Sequence, residues 1–186
     1  MPSPPATPRP TRADLAAARG RAIPDLIAPD LRILFVGINP SLYSAAVGLH
    51  FARPGNRFWP ALHAAGFTPR RLNAAEQDEV IPLGFGITNL VARATARADE
   101  VPDEEFRAGA AVLLRKVRRY RPRWLAFVGL GAFRAAFRRP DAALGPQPAP
   151  LGRARVWLLP SPSGLNAHYR LDDLARLYAD LRRAAG

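Results

Sequence analysis

Four short apolar runs, at residues 33–36, 84–90, 124–128 and 155–159, constrain the fold more than anything else in the sequence. Each is rich in β-branched or aromatic residues and too short for a buried helix, so each reads as a strand covered on both faces. The segments between them repeat on the helical period instead. Phe58, Leu62 and Ala65 share one face, as do Phe106, Ala110, Leu113 and Val117, and as do Leu171, Leu174, Tyr178 and Leu181. This alternation predicts an α/β fold: a single-domain three-layer sandwich whose mostly parallel central sheet, of about four to five strands, is flanked by helices.

Local punctuation supports the same division. Asn56 should cap the helix that Gly66 closes, with Pro60 tolerated in its first turn. The Asn73-x-x-Glu76 pattern predicts a second short helix that Pro82 ends. The long helix after Pro102 starts with Asp103, Glu104 and Glu105 and carries Arg115, Lys116, Arg118 and Arg119 on a side that reads as solvated. In the segment GLGAF, Arg134 stands where a third glycine of a dinucleotide loop would be, so the glycines read as close packing between strand 124–128 and a helix over 132–138. Residues 139–152, rich in Pro and Gly, read as a surface loop, and Asp172 and Asp173 open the last helix.

Composition narrows the function. A chain of 186 residues with no cysteine can bury a core without disulfides, and it offers no thiolate for metal binding or nucleophilic attack. The three histidines, His50, His63 and His168, lack metal-ligand spacing, and neither HExxH, GxSxG nor a P-loop occurs. No metal and no cofactor is expected. The formal net charge is +12, and Lys116 is the only lysine among 27 cations. A GC-rich coding bias would also enrich arginine, yet the charge itself gives salt-sensitive attraction to phosphate. No membrane span and no signal-peptide core is visible, so a cytoplasmic protein is expected. Residues 1–21 read as a Pro- and Arg-rich, largely disordered extension with a short helix capped by Thr11, and residues 22–186 as the folded domain.

The chemistry should gather at the end of the first strand. Gly37 stops the strand, and Ile38, Asn39 and Pro40 lie at its carboxyl end, where open α/β sheets bind ligands. Pro40 forces an extended conformation on Asn39, which should be held rigidly toward a cleft. Residues 41–57 then read as a long polar loop carrying His50 and Phe51, and loops of that length are usually functional.

GINPS followed by HFARPGNRFW, with LLPSPSGLN at 158–166, resembles the mismatch-specific uracil and thymine DNA glycosylase family, within the uracil-DNA glycosylase superfamily, over residues 22–181. The resemblance implies that Asn39 orients the attacking water. It implies a base-binding pocket of Ile38, Ser44, Phe51 and Asn89. Gly164, Leu165 and Asn166 become a wedge entering the duplex, and Arg53, Ser161 and Ser163 contact phosphate. Phe51, set between charged and small polar neighbours, reads as a pocket residue rather than core. The sequence departs from the family at Ala92, where relatives often carry an acid, at Ala167, where they often carry Arg, and at Arg53, where His is common.

The function so implied is a monofunctional DNA glycosylase of base excision repair. It would flip uracil out of double-stranded DNA and hydrolyse its glycosidic bond, preferentially in G:U mismatches, with other damaged pyrimidines such as ethenocytosine as further candidates. The protein is expected to act as a monomer on nucleoid DNA. A noncatalytic binder of mismatched or damaged DNA with the same wedge is the alternative, and an enzyme acting on a small nucleotide a third.

Overall fold

The computed structural model describes residues 9–186. The expected disordered tail at 1–10 therefore falls largely outside the described residues. Five strands form one sheet in the order β2-β1-β3-β5-β4: β1 (Ile33–Gly37), β2 (Phe85–Asn89), β3 (Trp124–Val128), β4 (Gly145–Pro146) and β5 (Arg155–Leu159). The first four positions in that order run parallel, and only β4 is antiparallel, to β5. This is the α/β sandwich expected from the sequence.

The two faces of the sheet bury separate sets of side chains, as the period of two along each strand requires. Ile33, Phe35, Phe85, Ile87, Trp157 and Leu159 face one way, against α3 (Phe58–Ala64) and α6 (Leu171–Ala185). Leu34, Val36, Leu125, Phe127, Val156 and Leu158 face the other, against α4 (Asp103–Tyr120) and α5 (Leu130–Phe137). On the first side Phe35 meets Phe58 edge-on, with centroids 5.4 Å apart. The free edge of β2 is covered: Leu26 and Ile87 exchange backbone hydrogen bonds at 2.9 and 2.8 Å, which removes an unpaired strand edge.

Several expectations are corrected. The presumed loop at 41–57 contains a helix, α2 (Leu42–Val47), because the Ser41 hydroxyl accepts from the Ser44 amide and Gly48, at φ 71°, ends the turn. Six helical residues are too few to show a periodic stripe. Within the presumed loop at 139–152, β4 adds the fifth strand. The Asn73–Glu76 box forms, but it starts a 3₁₀ segment over Ala74–Val80 rather than an α-helix. Helix α5 begins at Leu130, and Gly129 lies against Ile38: a Cβ there would sit 2.6 Å from Ile38 Cγ1. Lys116 is not on a solvated face. Its ammonium pairs with Asp25 at 2.6 Å and donates to the Thr88 hydroxyl at 3.0 Å, tying the 22–28 segment across β2.

The helix α1 (Arg12–Ala17) has the Thr11 cap, completed as a reciprocal box with Asp14. Just beyond it, Ala18 is fully buried with Ile23, Ala45 and Ala94, and Gly20 donates to the Ala94 carbonyl.

Helix α4 approaches the end of β2 more closely than any side chain would permit. A Cβ on Gly109 would lie 2.1 Å from the Leu90 carbonyl oxygen. Gly109→Ala should therefore destabilise the fold by roughly 1–3 kcal/mol as an overpacking change, despite alanine's better helix propensity. Urea denaturation checks this, and an unchanged midpoint would show that α4 is free to move.

Candidate active site

The central position of β1 creates the site. The chain leaves β1 for β2 on one side and later returns to β3 on the other, so the crossovers diverge and open a crevice at the carboxyl ends of the strands. A cavity of about 360 Å³ lies there, within the usual size of ligand sites. Its walls come from the residues after β1, after β2 and after β5.

The loop after β2 is bonded along the loop after β1. Leu90, Val91 and Thr95 donate their amides to the carbonyls of Gly37, Ile38 and Pro40 at 2.8, 3.0 and 3.2 Å. Asn39 sits inside this seam. Its Nδ2 donates to the Arg93 carbonyl at 3.0 Å and to Thr95 Oγ1 at 2.7 Å. The Thr95 hydroxyl gives its own proton to the Arg97 carbonyl at 2.6 Å, so toward Asn39 it acts as acceptor. Two acceptors facing one end of the amide fix which atom is nitrogen. Oδ1 is thereby left as a held acceptor on a residue that lines the cavity. Thr95, 1% exposed, was not anticipated, and its position six residues beyond Asn89 gave no periodic signal.

Gly37 provides space beside it. A Cβ there would sit 2.5 Å from Asn89 Oδ1 and 3.4 Å from Phe51 Cζ, so a larger residue would collide with one pocket candidate and crowd another. Phe51 turns out to serve both readings weighed for it. It lines the cavity, yet its ring stacks on the buried Phe58 with centroids 3.9 Å apart and planes at 21°. Its backbone holds φ 54°, an uncommon conformation outside glycine that needs the surrounding structure to maintain it. Ile38 and Ser44 also line the cavity, and the Ser44 hydroxyl accepts from the Ala52 amide at 3.1 Å, pinning the Phe51 turn.

Two further lining groups were missed. His50 is buried beside Phe51, with a ring nitrogen, Nε2, 2.9 Å from the Pro24 carbonyl; burial pushes its pKa down and keeps the ring neutral. Asp99 is the one carboxylate lining the cavity among the described residues, and it pairs with Arg97 at 2.6 Å. Ala92, where an acid was looked for, is exposed and does not line the cavity.

The opposite wall is the 161–169 loop. Leu165 is 68% exposed at its tip, the most exposed of the large apolar side chains among the described residues. Gly164 does not line the cavity, and a Cβ on it would meet the Gly55 carbonyl oxygen at 2.8 Å. The polar side chains shape the loop itself. Asn166 Nδ2 donates to the Ser161 carbonyl at 3.0 Å, and the hydroxyls of Ser161 and Ser163 accept from the amides of Ser163 and Leu165 at 3.3 and 3.2 Å. Neither serine is at a helix start, because α6 is capped at Arg170. Arg53 lines the same cavity with an exposed side chain and forms no ion pair among the described residues.

Comparison with known proteins bears on the fold and the family. A solved structure from Methanosarcina acetivorans, described as a candidate uracil DNA glycosylase, is similar to this chain with a TM-score of 0.60 at 19% identity, covering 90% of this chain and 99% of the other. At that identity the likeness bears on the fold. The family model described as the Uracil DNA glycosylase superfamily matches residues 24–182, a span that includes every strand and all the candidate residues from Ile38 to Asn166. This chain belongs to the uracil DNA glycosylase superfamily.

Proposed function

We propose that the protein is a monofunctional uracil-DNA glycosylase that takes uracil out of duplex DNA, acts preferentially opposite guanine, and leaves an abasic site. The observation that carries this reading is the Asn39 amide, held at its nitrogen end by Arg93 and Thr95 so that Oδ1 remains free as an acceptor. The C1′–N1 bond of the flipped nucleotide breaks with its electron pair leaving on the base, a water oxygen bonds to the oxocarbenium carbon, and the proton that water loses ends on the departed uracil anion, directly or through solvent. Asn39 is too weak a base to take the water's proton outright. It aligns that water through a hydrogen bond, and positioning of this kind supplies much of a hydrolytic rate. Phe51, backed by Phe58, offers its free face for stacking on the base, while Leu165 fills the vacancy in the duplex.

Preference for a mismatch follows from cost, since a weakly paired uracil is cheaper to extrude. Damaged pyrimidines bulkier than uracil, ethenocytosine among them, are included in the proposed substrates, and the size of the cavity, about 360 Å³, supports that reading. Arg53 and the backbone of the 161–169 loop are the proposed phosphate contacts. Lyase chemistry is not proposed: the only lysine is engaged with Asp25 and Thr88 and does not line the cavity. On this reading the protein works as a cytoplasmic monomer on nucleoid DNA.

Abasic-site formation from a G:U duplex is the direct test, and tight binding without it would favour a noncatalytic damage binder. Asn39→Ala should lower single-turnover excision on the order of 100-fold or more while retaining duplex binding, as expected for loss of one positioned hydrogen-bonding group. Thr95→Val should act in the same direction by releasing the amide, and Thr95→Ser should restore the rate. Equal rates for parent and Asn39→Ala would refute the assignment.

Phe51→Ala should weaken substrate binding and also lower stability by roughly 1–2 kcal/mol, below the range for a fully buried Phe because one face of this ring is open. Thermal melts and binding isotherms on the same preparation separate the two effects. A stability loss with unaltered binding would assign Phe51 to the core alone.

Leu165→Ala should reduce excision most from U opposite A, less from U opposite G, and least from single-stranded DNA, because the wedge matters in proportion to the cost of unpairing. Rates are compared at matched salt. Equal proportional losses on all three would make Leu165 a packing residue.

A further inference from the structure

The exposed tip at Leu165 stands on a stretch with no helix or strand from 160 to 170, shaped within by its own Ser and Asn side chains and anchored to the rest of the fold from outside. The holding group is Arg57, at the start of α3 and directly against this stretch. Its backbone amide donates to the Pro162 carbonyl at 2.9 Å. Its guanidinium donates to three more carbonyls of the same stretch: Tyr169, Ser163 and, at 2.8 Å, Asn166. Those carbonyls lie on both sides of Leu165 in the chain. No carboxylate pairs with Arg57 among the described residues, and its Nε is buried without a partner. The cation is therefore committed to the loop's backbone. A lysine could not replace it, because only the planar fork reaches several divergent acceptors at once.

We propose that Arg57 is a positioning residue that holds the 161–169 loop in its duplex-entering shape and in fixed relation to the base cavity. The inference rests on the reading of Leu165 as a wedge. Arg57 directly follows Asn56, which lines the cavity with Arg53, and it binds the loop that carries Leu165, so entry of Leu165 into the stack and seating of the base become coupled. Without the clamp the loop would have to be ordered at the moment of binding, and that ordering opposes association.

The test compares parent, Arg57→Lys, Arg57→Gln, Leu165→Ala and the Arg57→Gln/Leu165→Ala double variant in single-turnover excision at matched salt. The substrates are U opposite A, U opposite G and single-stranded uracil, with 2-aminopurine next to the uracil to report unstacking independently of chemistry. Both Arg57 variants should lose about tenfold or more on U opposite A and much less on the single strand, and the unstacking signal should fall in parallel. The double variant should be no worse on duplex than the worse single variant, since two changes acting through one element are not additive. Added methylguanidinium should partly rescue Arg57→Gln on duplex, which a general loss of folding would not show. If Arg57→Gln does not fold, Arg57→Lys carries the same comparison. Equal proportional losses on all substrates, or additive losses in the double variant, overturn the clamp while leaving the glycosylase reading intact. A parent that neither unstacks nor excises uracil overturns that reading, and the clamp with it.

Discussion

Everything at the sheet edge depends on the seam between the residues following β1 and those following β2. Three amide-to-carbonyl bonds, from Leu90, Val91 and Thr95, continue the pairing of the two strands past the point where the sheet ends. The asparagine at the centre of the seam is held by the same backbone that makes it. Because β1 and β2 are in register from Ile33 with Phe85 to Gly37 with Asn89, the strand cores fix how the two loops meet. Packing of Phe35 and Ile87 deep in the molecule thus reaches the chemistry through backbone geometry, completed by the buried Thr95 hydroxyl that accepts from the Asn39 amide. The tight seat of Gly109 on Leu90 supports the seam from the other face.

The framework was legible because parallel strands buried on both faces leave continuous apolar runs, and these survive in the sequence as four unmistakable blocks. The helices with a stripe, α4 and α6, were equally readable. What could not be read was short or dependent on tertiary contact. Helix α2 has six residues and no stripe, and β4 has two. Lys116 sat among arginines in a pattern indistinguishable from a solvated face, and only the return of Asp25 across β2 brings it a counter-charge.

The candidate site divides in the same way. Asn39 stood out because a strand end before proline is a local anomaly, whereas Leu165, which alone reads as packing, was singled out only by the resemblance of LLPSPSGLN to the family motif. Thr95, His50 and Asp99 did not, since each reaches the cavity by the folding back of its loop. Phe51 shows how a choice between pocket and core can be falsely exclusive. A ring has two faces, and here Phe58 occupies one while the cavity has the other. The polar residues of the 161–169 loop were correctly placed in the region, but their hydroxyls and amides are turned to the loop's own backbone.

The engagement of Lys116 has a consequence for control of the molecule's charge. With the single lysine bound between Asp25 and Thr88, every other side-chain cation in the +12 chain is a guanidinium, which stays protonated across the whole physiological range. Acylation of lysine, a common means of loosening proteins from nucleic acid, has only this one half-buried, ion-paired side chain to act on here. Adding acyl groups to this protein would instead break an internal strap, altering its stability rather than its attraction for phosphate.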